Sequence, residues 1–100
     1  MAKKKGSYKF RRKPFSTRFN PRHPVIKEKK LGRDKAYGLA WTDESFIEID
    51  PRQDAKEYLD TLIHEMLHCY FPELEENDIN ELGNKMTYQI WKKGYRRIQQ

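Results

Sequence analysis

His64, Glu65 and His68 are the residues of this chain best placed to do chemistry, because they fall in one run, His64-Glu65-Met66-Leu67-His68. On a helix, residues four apart lie on one face, one turn from each other, so two imidazoles at this spacing can share a metal ion. Glu65 sits next to them around the helix. It is too constrained to be an easy third ligand, yet it reaches a water on such a metal. Zinc lowers the pKa of bound water toward about 7; a neighbouring carboxylate then takes the proton, and the same carboxylate can pass it to a leaving amine. At average residue usage a His-Glu-x-x-His run arises by chance in about one of several hundred chains of this length. The competing reading is two exposed surface histidines.

Two imidazoles and a water leave zinc one protein ligand short of a tetrahedral catalytic site. His23 is the only other histidine, and it lies in a strongly basic stretch. Cys69 adjoins His68 but turns toward the apolar side of the helix, where a small buried thiol is the better reading. The downstream carboxylates are Glu73, Glu75, Glu76, Asp78 and Glu81. On a second helix, Glu76 comes three residues before Ile79 and seven before Gly83, at the edge of the inward stripe, whereas Asn77 and Glu81 point outward. Glu76 is therefore the expected third ligand, with Glu75 in reserve. The alternative role for Glu76 is a first-turn acid complementing the helix dipole. Asn80 and Asp60, each one turn from a candidate ligand, are candidates to orient an imidazole. Tyr37, Tyr70 and Tyr88 are candidates to stabilise an oxyanion. Zinc suits this donor set best, with manganese or cobalt able to replace it.

These side chains need elements to hold them. Asp50-Pro51-Arg52-Gln53 offers a cap acid, a proline at the first helical position and a Gln at the capping-box position. Apolar residues then recur at Ala55, Tyr58, Leu59, Leu62, Ile63, Met66, Leu67 and Tyr70, the period of a one-sided helix. The expected helix runs from about 51 to 70 and stops at Pro72. Its apolar stripe centres near Leu59, Leu62 and Met66, with His64 and His68 on roughly the opposite side. A second helix is expected over about 75–93, with Ile79, Leu82, Gly83, Met86 and Ile90 inward and Gly94 as its stop. The link between the two is short, so they must be neighbours. Upstream, 36–41 and 45–49 read as strands joined by a turn at Thr42-Asp43-Glu44, with Pro24 to Lys27 as a further short strand. Ile47 and Ile49 would share one face of their strand, and Gly38 marks a close backbone approach or a bulge. The expected fold class is α+β: a small antiparallel sheet of two or three strands packed on the His-Glu-x-x-His helix and a second, C-terminal helix.

The stretch TLIHEMLHCYFPELEENDI resembles the core of the zincin metallopeptidases, and within them the minimal gluzincins and the SprT-like metallopeptidases of phages and bacteria. The resemblance covers about residues 36–92. It implies a peptidase in which His64 and His68 bind zinc, Glu65 is the general base and Glu76 takes the third-ligand position. The strand at Ser45 to Ile49, if it borders the cleft, would hold an extended peptide by strand addition.

The remaining sequence bounds these ideas. Of 100 residues, 36% are apolar and 36% charged, so the core is modest and benefits from a metal or very good packing. One cysteine permits no internal disulfide and suits a reducing cytoplasm. No apolar run approaches the roughly 20 residues a membrane span needs, and the N-terminus lacks the pattern of a secretory signal. Residues 1–35 carry 14 Lys/Arg against two acids, and residues 36–100 carry seven against 13. Such a split reads as a basic, flexible arm over 1–23 attached to a folded domain over 24–100. The cations and the aromatics Tyr8, Phe10, Phe15 and Phe19 give residues 3–35 the makings of a nucleic-acid contact, or else a tail whose rings pack on the domain. Two classes of function follow: a monomeric zinc peptidase acting on protein or peptide, or a catalytically silent zinc-stabilised binding module associated with nucleic acid through its basic arm.

Overall fold

The computed structural model describes residues 18–32 and 37–98; the remainder of the basic arm, 1–17, lies outside the described residues. Three strands and two helices follow one another: β1 (Val25–Glu28), β2 (Gly38–Trp41), β3 (Phe46–Ile49), α1 (Ala55–Tyr70) and α2 (Glu76–Lys92). This is the expected α+β fold. The sheet order is β1-β3-β2. β2 and β3 form the expected antiparallel hairpin, but β1 runs parallel to β3, so the sheet is mixed and not wholly antiparallel. The reason lies in the path of the chain. β1 and β2 occupy opposite edges, and the described residues on either side of 33–36 meet the end of β3, where Lys29 N–H donates to the Ile49 carbonyl and Asp50 N–H to that of Tyr37.

Asp50 secures that crossing. Its carboxylate accepts from the Leu31 N–H, the Arg52 N–H and the Arg52 guanidinium, and its own N–H donates to the Tyr37 carbonyl. The Arg52 side chain, then the Arg52 and Leu31 backbone N–H groups, hold the Asp50 carboxyl well below the usual carboxylate range. Asp50 is thus a loop anchor and not the helix cap its position led us to expect. The cap is Asp54, whose side chain accepts from Glu57 N–H while Glu57 reaches back to the Asp54 N–H, a complete capping box. α1 accordingly begins at Ala55 and not near 51. At the far end, Gly94 adopts φ +92, with Gly94 N–H on the Trp91 carbonyl and Tyr95 N–H on that of Ile90, which is the glycine-terminated stop expected for α2.

The strand alternation holds. Ile47 and Ile49 face the helices and are 0% exposed. α1 lies between the sheet and α2, touching β2 and β3 on one side and α2 on the other. Ile63 and Leu67 of α1 meet Ile79 of α2 in a buried cluster, with Leu59, Met66, Phe71, Leu74 and Ile90 packed around it. Because α1 is covered on two sides, its most buried residues are Tyr58, Ile63, Leu67 and Cys69, a broader and rotated face compared with the stripe expected around Leu62 and Met66.

Residues 18–23, expected to belong to a flexible arm, dock on the folded part. Phe19 packs against Tyr70 and Phe71, Asn20 N–H donates to the Tyr70 carbonyl, and the Asn20 side chain donates to Ser45 Oγ. That last bond braces Ser45, the one non-glycine residue at positive φ among those described. The C-terminal end is clasped too: Tyr58 and Arg97 both donate to Glu28, and the Arg97 guanidinium lies 4.1 Å above the Tyr58 ring. Burial, then Glu28, pushes the Tyr58 hydroxyl up to about 12. Among the described residues no helix is long and apolar enough to cross a membrane.

Two stability experiments follow from this packing. Ile79→Ala should cost about 2–5 kcal/mol in urea unfolding, as for other fully buried isoleucines. Asp50→Asn should be less stable than wild type at neutral pH. Because the folded carboxyl titrates below its unfolded value of about 4, the stability it supplies is present above that pH and lost as pH falls through the folded value. The gap between the two proteins should therefore narrow below about pH 4 in acid titrations followed by circular dichroism.

Candidate metal centre and the carboxylate beside it

The His64 and His68 rings project from successive turns of α1, and their Nε2 atoms lie 3.2 Å apart. Glu76, the first residue of α2, brings one carboxylate oxygen to 3.2 Å from His64 Nε2 and the other to 3.0 Å from His68 Nε2. These residues form the one group of three or more potential metal ligands among the described residues. The triangle has a physical meaning. A tetrahedral zinc with bonds of about 2.0–2.1 Å separates neighbouring ligand atoms by about 3.3 Å. The Nε2–Nε2 separation of 3.2 Å is close to that spacing, and each ring has its own Glu76 oxygen at 3.2 or 3.0 Å, so the three side chains converge on one position. Two neutral imidazoles and a carboxylate have too few protons to hydrogen-bond along every edge, whereas one cation at the centre satisfies all three. The donor set therefore fits a divalent metal of zinc's preference.

Local sequence explains the placement. Pro72 ends α1, Glu75 takes the N-cap position of α2, and Glu76 follows as its first helical residue. Glu76 is thereby carried to the histidines, while the reserve candidate Glu75 is outside the ligand group. The imidazole side chains are only 24% and 26% exposed and that of Glu76 is 59% exposed, so the site opens to solvent past the carboxylate. Burial holds the His68 ring below its usual pKa, against the opposing pull of Glu76, which favours the neutral form that binds metal. Burial also raises the Glu65 pKa, with His64 opposing and Glu76 reinforcing, and a carboxylate made more basic is better suited to take a proton.

Glu65 is positioned by a strand. A Cβ on Gly38 would sit 2.6 Å from Thr61 Cγ2 and 3.0 Å from Glu65 Cγ, so only glycine lets β2 lie this close to α1. Thr61 is held in turn, its hydroxyl donating to the Gln53 side chain, whose amide donates to the Asp50 carbonyl. The glycine in a strand signalled this approach; that its partners are Thr61 and Glu65 had no sequence signal. The strand expected to border the cleft, Ser45 to Ile49, is instead the central one, bonded on both sides, and cannot accept another. β2 is the edge strand against α1.

The other candidates go elsewhere. His23 Nδ1 lies 2.9 Å from the Tyr70 hydroxyl, which occupies both groups away from the triangle. Cys69 is a fully buried free thiol, raised first by burial and then by Glu65. Asp60 accepts from Thr87 of α2 and so ties the helices together; it does not orient His64. Asn80 is exposed, without a hydrogen bond to either ring. Glu73 lies 3.6 Å from Arg18, and Glu81 lies 3.9 Å from Lys85. Tyr88 borders a groove with Asp60 and Thr87 beside the N-terminal half of α1, and Tyr37 is exposed. Comparison with protein-family models, curated proteins and solved structures returns no match to this chain.

The tightness at Gly38 is testable. Gly38→Ala must push Thr61 or Glu65 aside, and should cost about 1–3 kcal/mol in chemical denaturation. Unchanged stability would mean that β2 stands off the helix.

Proposed function

We propose that this chain is a zinc-dependent peptidase of the zincin type, similar to the minimal gluzincins and SprT-like metallopeptidases, acting on protein or peptide in the cytoplasm. The observation that supports it is the convergence of His64 Nε2, His68 Nε2 and the two Glu76 oxygens, with the nitrogens 3.2 Å apart and each within 3.2 Å of its own carboxylate oxygen. Zinc held there supplies Lewis acidity, making water a nucleophile near neutral pH and polarising a carbonyl. The protein's own groups do the rest. His64 and His68 offer neutral nitrogens, and Glu76 lowers the charge of the site by one. Glu65 accepts a proton from the attacking water and returns it to the departing amine. Its packing under Gly38 keeps the carboxylate stem in one place during both transfers. The edge of β2, not that of β3, offers backbone groups for an extended substrate to pair with.

The silent-module reading differs at Glu65, since holding zinc does not require it. The purified chain should carry about one zinc. His68→Ala and Glu76→Ala should weaken metal binding strongly, and chelation should lower the melting temperature, because a metal bound only by the folded state stabilises it. Glu65→Gln should keep its zinc while hydrolysis of a peptide library falls by about 10²–10⁴. Zinc-free wild type would end the metal reading. Zinc-loaded wild type without hydrolysis would leave the binding module.

A further inference from the structure

The C-terminal end of α2 carries charge that the packing does not use. Residues 82–98 hold five Lys/Arg and no acid. Two of the five are paired: Lys85 lies 3.9 Å from Glu81, and Arg97 donates to Glu28. Lys92, Lys93 and Arg96 are exposed and meet no carboxylate among the described residues. A helix C-terminus carries about half a negative charge, so three cations overcompensate it. The acids at this end of the helix pair lie on the other flank, where Asp54, Glu57 and Asp60 line a groove with Thr87 and Tyr88. At about 100° per residue, Lys85, Lys92 and Lys93 stand roughly 120–160° around α2 from Thr87. A polyanion is thus drawn to the outer flank and end of α2 and turned away from the groove.

This end is also shaped. Gly94, at φ +92, turns the chain back, and Tyr95 N–H bonds the Ile90 carbonyl. Arg96 then lies over Trp91, its guanidinium carbon 3.5 Å from the ring centroid, with Nη1 donating to the Trp91 and Tyr95 carbonyls. Those bonds fix the guanidinium in place. They leave Nη2 and Nε without a partner among the described residues, a two-donor edge that fits a phosphate. The outer plane of the guanidinium is a surface on which a base stacks, continuing the pile that begins with Trp91. Tyr95 beside it is 71% exposed, and the Lys92 ammonium lies 5.5 Å from the centre of the Tyr88 ring.

We propose that the C-terminal end of α2 binds single-stranded nucleic acid, with a base stacked on the Arg96 guanidinium and phosphates held by Arg96, Lys92 and Lys93. The chemistry is sequence-tolerant, since every base has a ring face and the cations read only the backbone. Planar stacking separates this ligand from the other polyanion that basic and aromatic residues meet, an anionic bilayer. Inserting the Trp91 ring among lipids requires the charged group on its face to leave or to lose its water, whereas a base stacks on that group where it stands. Glu76 is the first residue of α2 and Trp91 is in its last turn, so this surface lies roughly 20 Å along the helix from the candidate metal centre and does not depend on it.

The test uses the full chain and an oligodeoxythymidylate. In a Trp41→Phe background Trp91 is the sole tryptophan, and saturating unlabelled oligonucleotide should change its emission. With a fluorescein label and anisotropy, wild-type affinity should fall by about tenfold between about 50 and 200 mM salt. Arg96→Ala should weaken binding by on the order of tenfold, and Arg96→Lys, which keeps the charge but not the plane, should recover only part of the loss. Lys92→Glu should lower the salt slope by about one and weaken binding more than Lys30→Glu, which removes the same charge from another surface. Circular dichroism should show each variant folded. Trp91 emission indifferent to saturating oligonucleotide would overturn the proposal, and a shift on phosphatidylserine vesicles instead would give the surface to a bilayer. A folded Arg96→Ala chain binding as tightly as wild type, or Lys92→Glu no weaker than Lys30→Glu, would overturn it too, by placing the contact elsewhere on the chain.

Discussion

Ile79 packs against Ile63 and Leu67, and the candidate metal centre is arranged by that dry contact. Each member of the apolar trio has a polar neighbour in sequence: His64 follows Ile63, His68 follows Leu67, and Glu76 precedes Ile79 by one helical turn. Burying the first set therefore delivers the second set to its rim, half shielded by the same helices. The pairing of a dry cluster with a wet triangle makes position and stability one property. A shift between the helices large enough to separate Glu76 from the histidines must first open the cluster, where deleting a single side chain costs kilocalories.

Glu65 is held by a different constraint. It faces β2, and its stem is pressed by the backbone at Gly38, while Thr61, Gln53 and Asp50 form a relay of hydrogen bonds behind it. Asp50 also ties the β1–β2 connection to the end of β3. A loop anchor and a candidate proton carrier are thus linked through Gln53, Thr61 and Gly38. Ligands governed by helix–helix packing and a base governed by helix–strand packing can be perturbed separately, which gives the site two independent supports.

The modest core is helped from both ends of the described chain. Phe19, Asn20 and His23 fasten the N-terminal segment to Tyr70 and Ser45, and Arg97 fastens the C-terminal segment to Glu28 and Tyr58. These clasps lie around the helical layer and the sheet edges. Among the described residues they do not reach the Val25–Phe46–Trp41 row, where Trp41 and Phe46 pack on each other.

What could be read along the chain was whatever depends on a few neighbouring residues. Four-residue spacing put His64 and His68 on one helix face whatever surrounds the helix. Two-residue spacing turned Ile47 and Ile49 inward together, Pro72 and Gly94 marked helix ends, and Gly38 announced a close approach. Tertiary structure decided the rest, because it rests on contacts between distant residues that have no local period. Local sequence put the cap at Asp50, and only the donors at Leu31 and Arg52 claim it for a loop and leave the cap to Asp54. Val25–Glu28 reads as a strand either way, and only its seat beyond β3 makes it parallel. Helical phase favoured Glu76 over Glu75, but bringing its two oxygens to the two rings took the burial of Ile79.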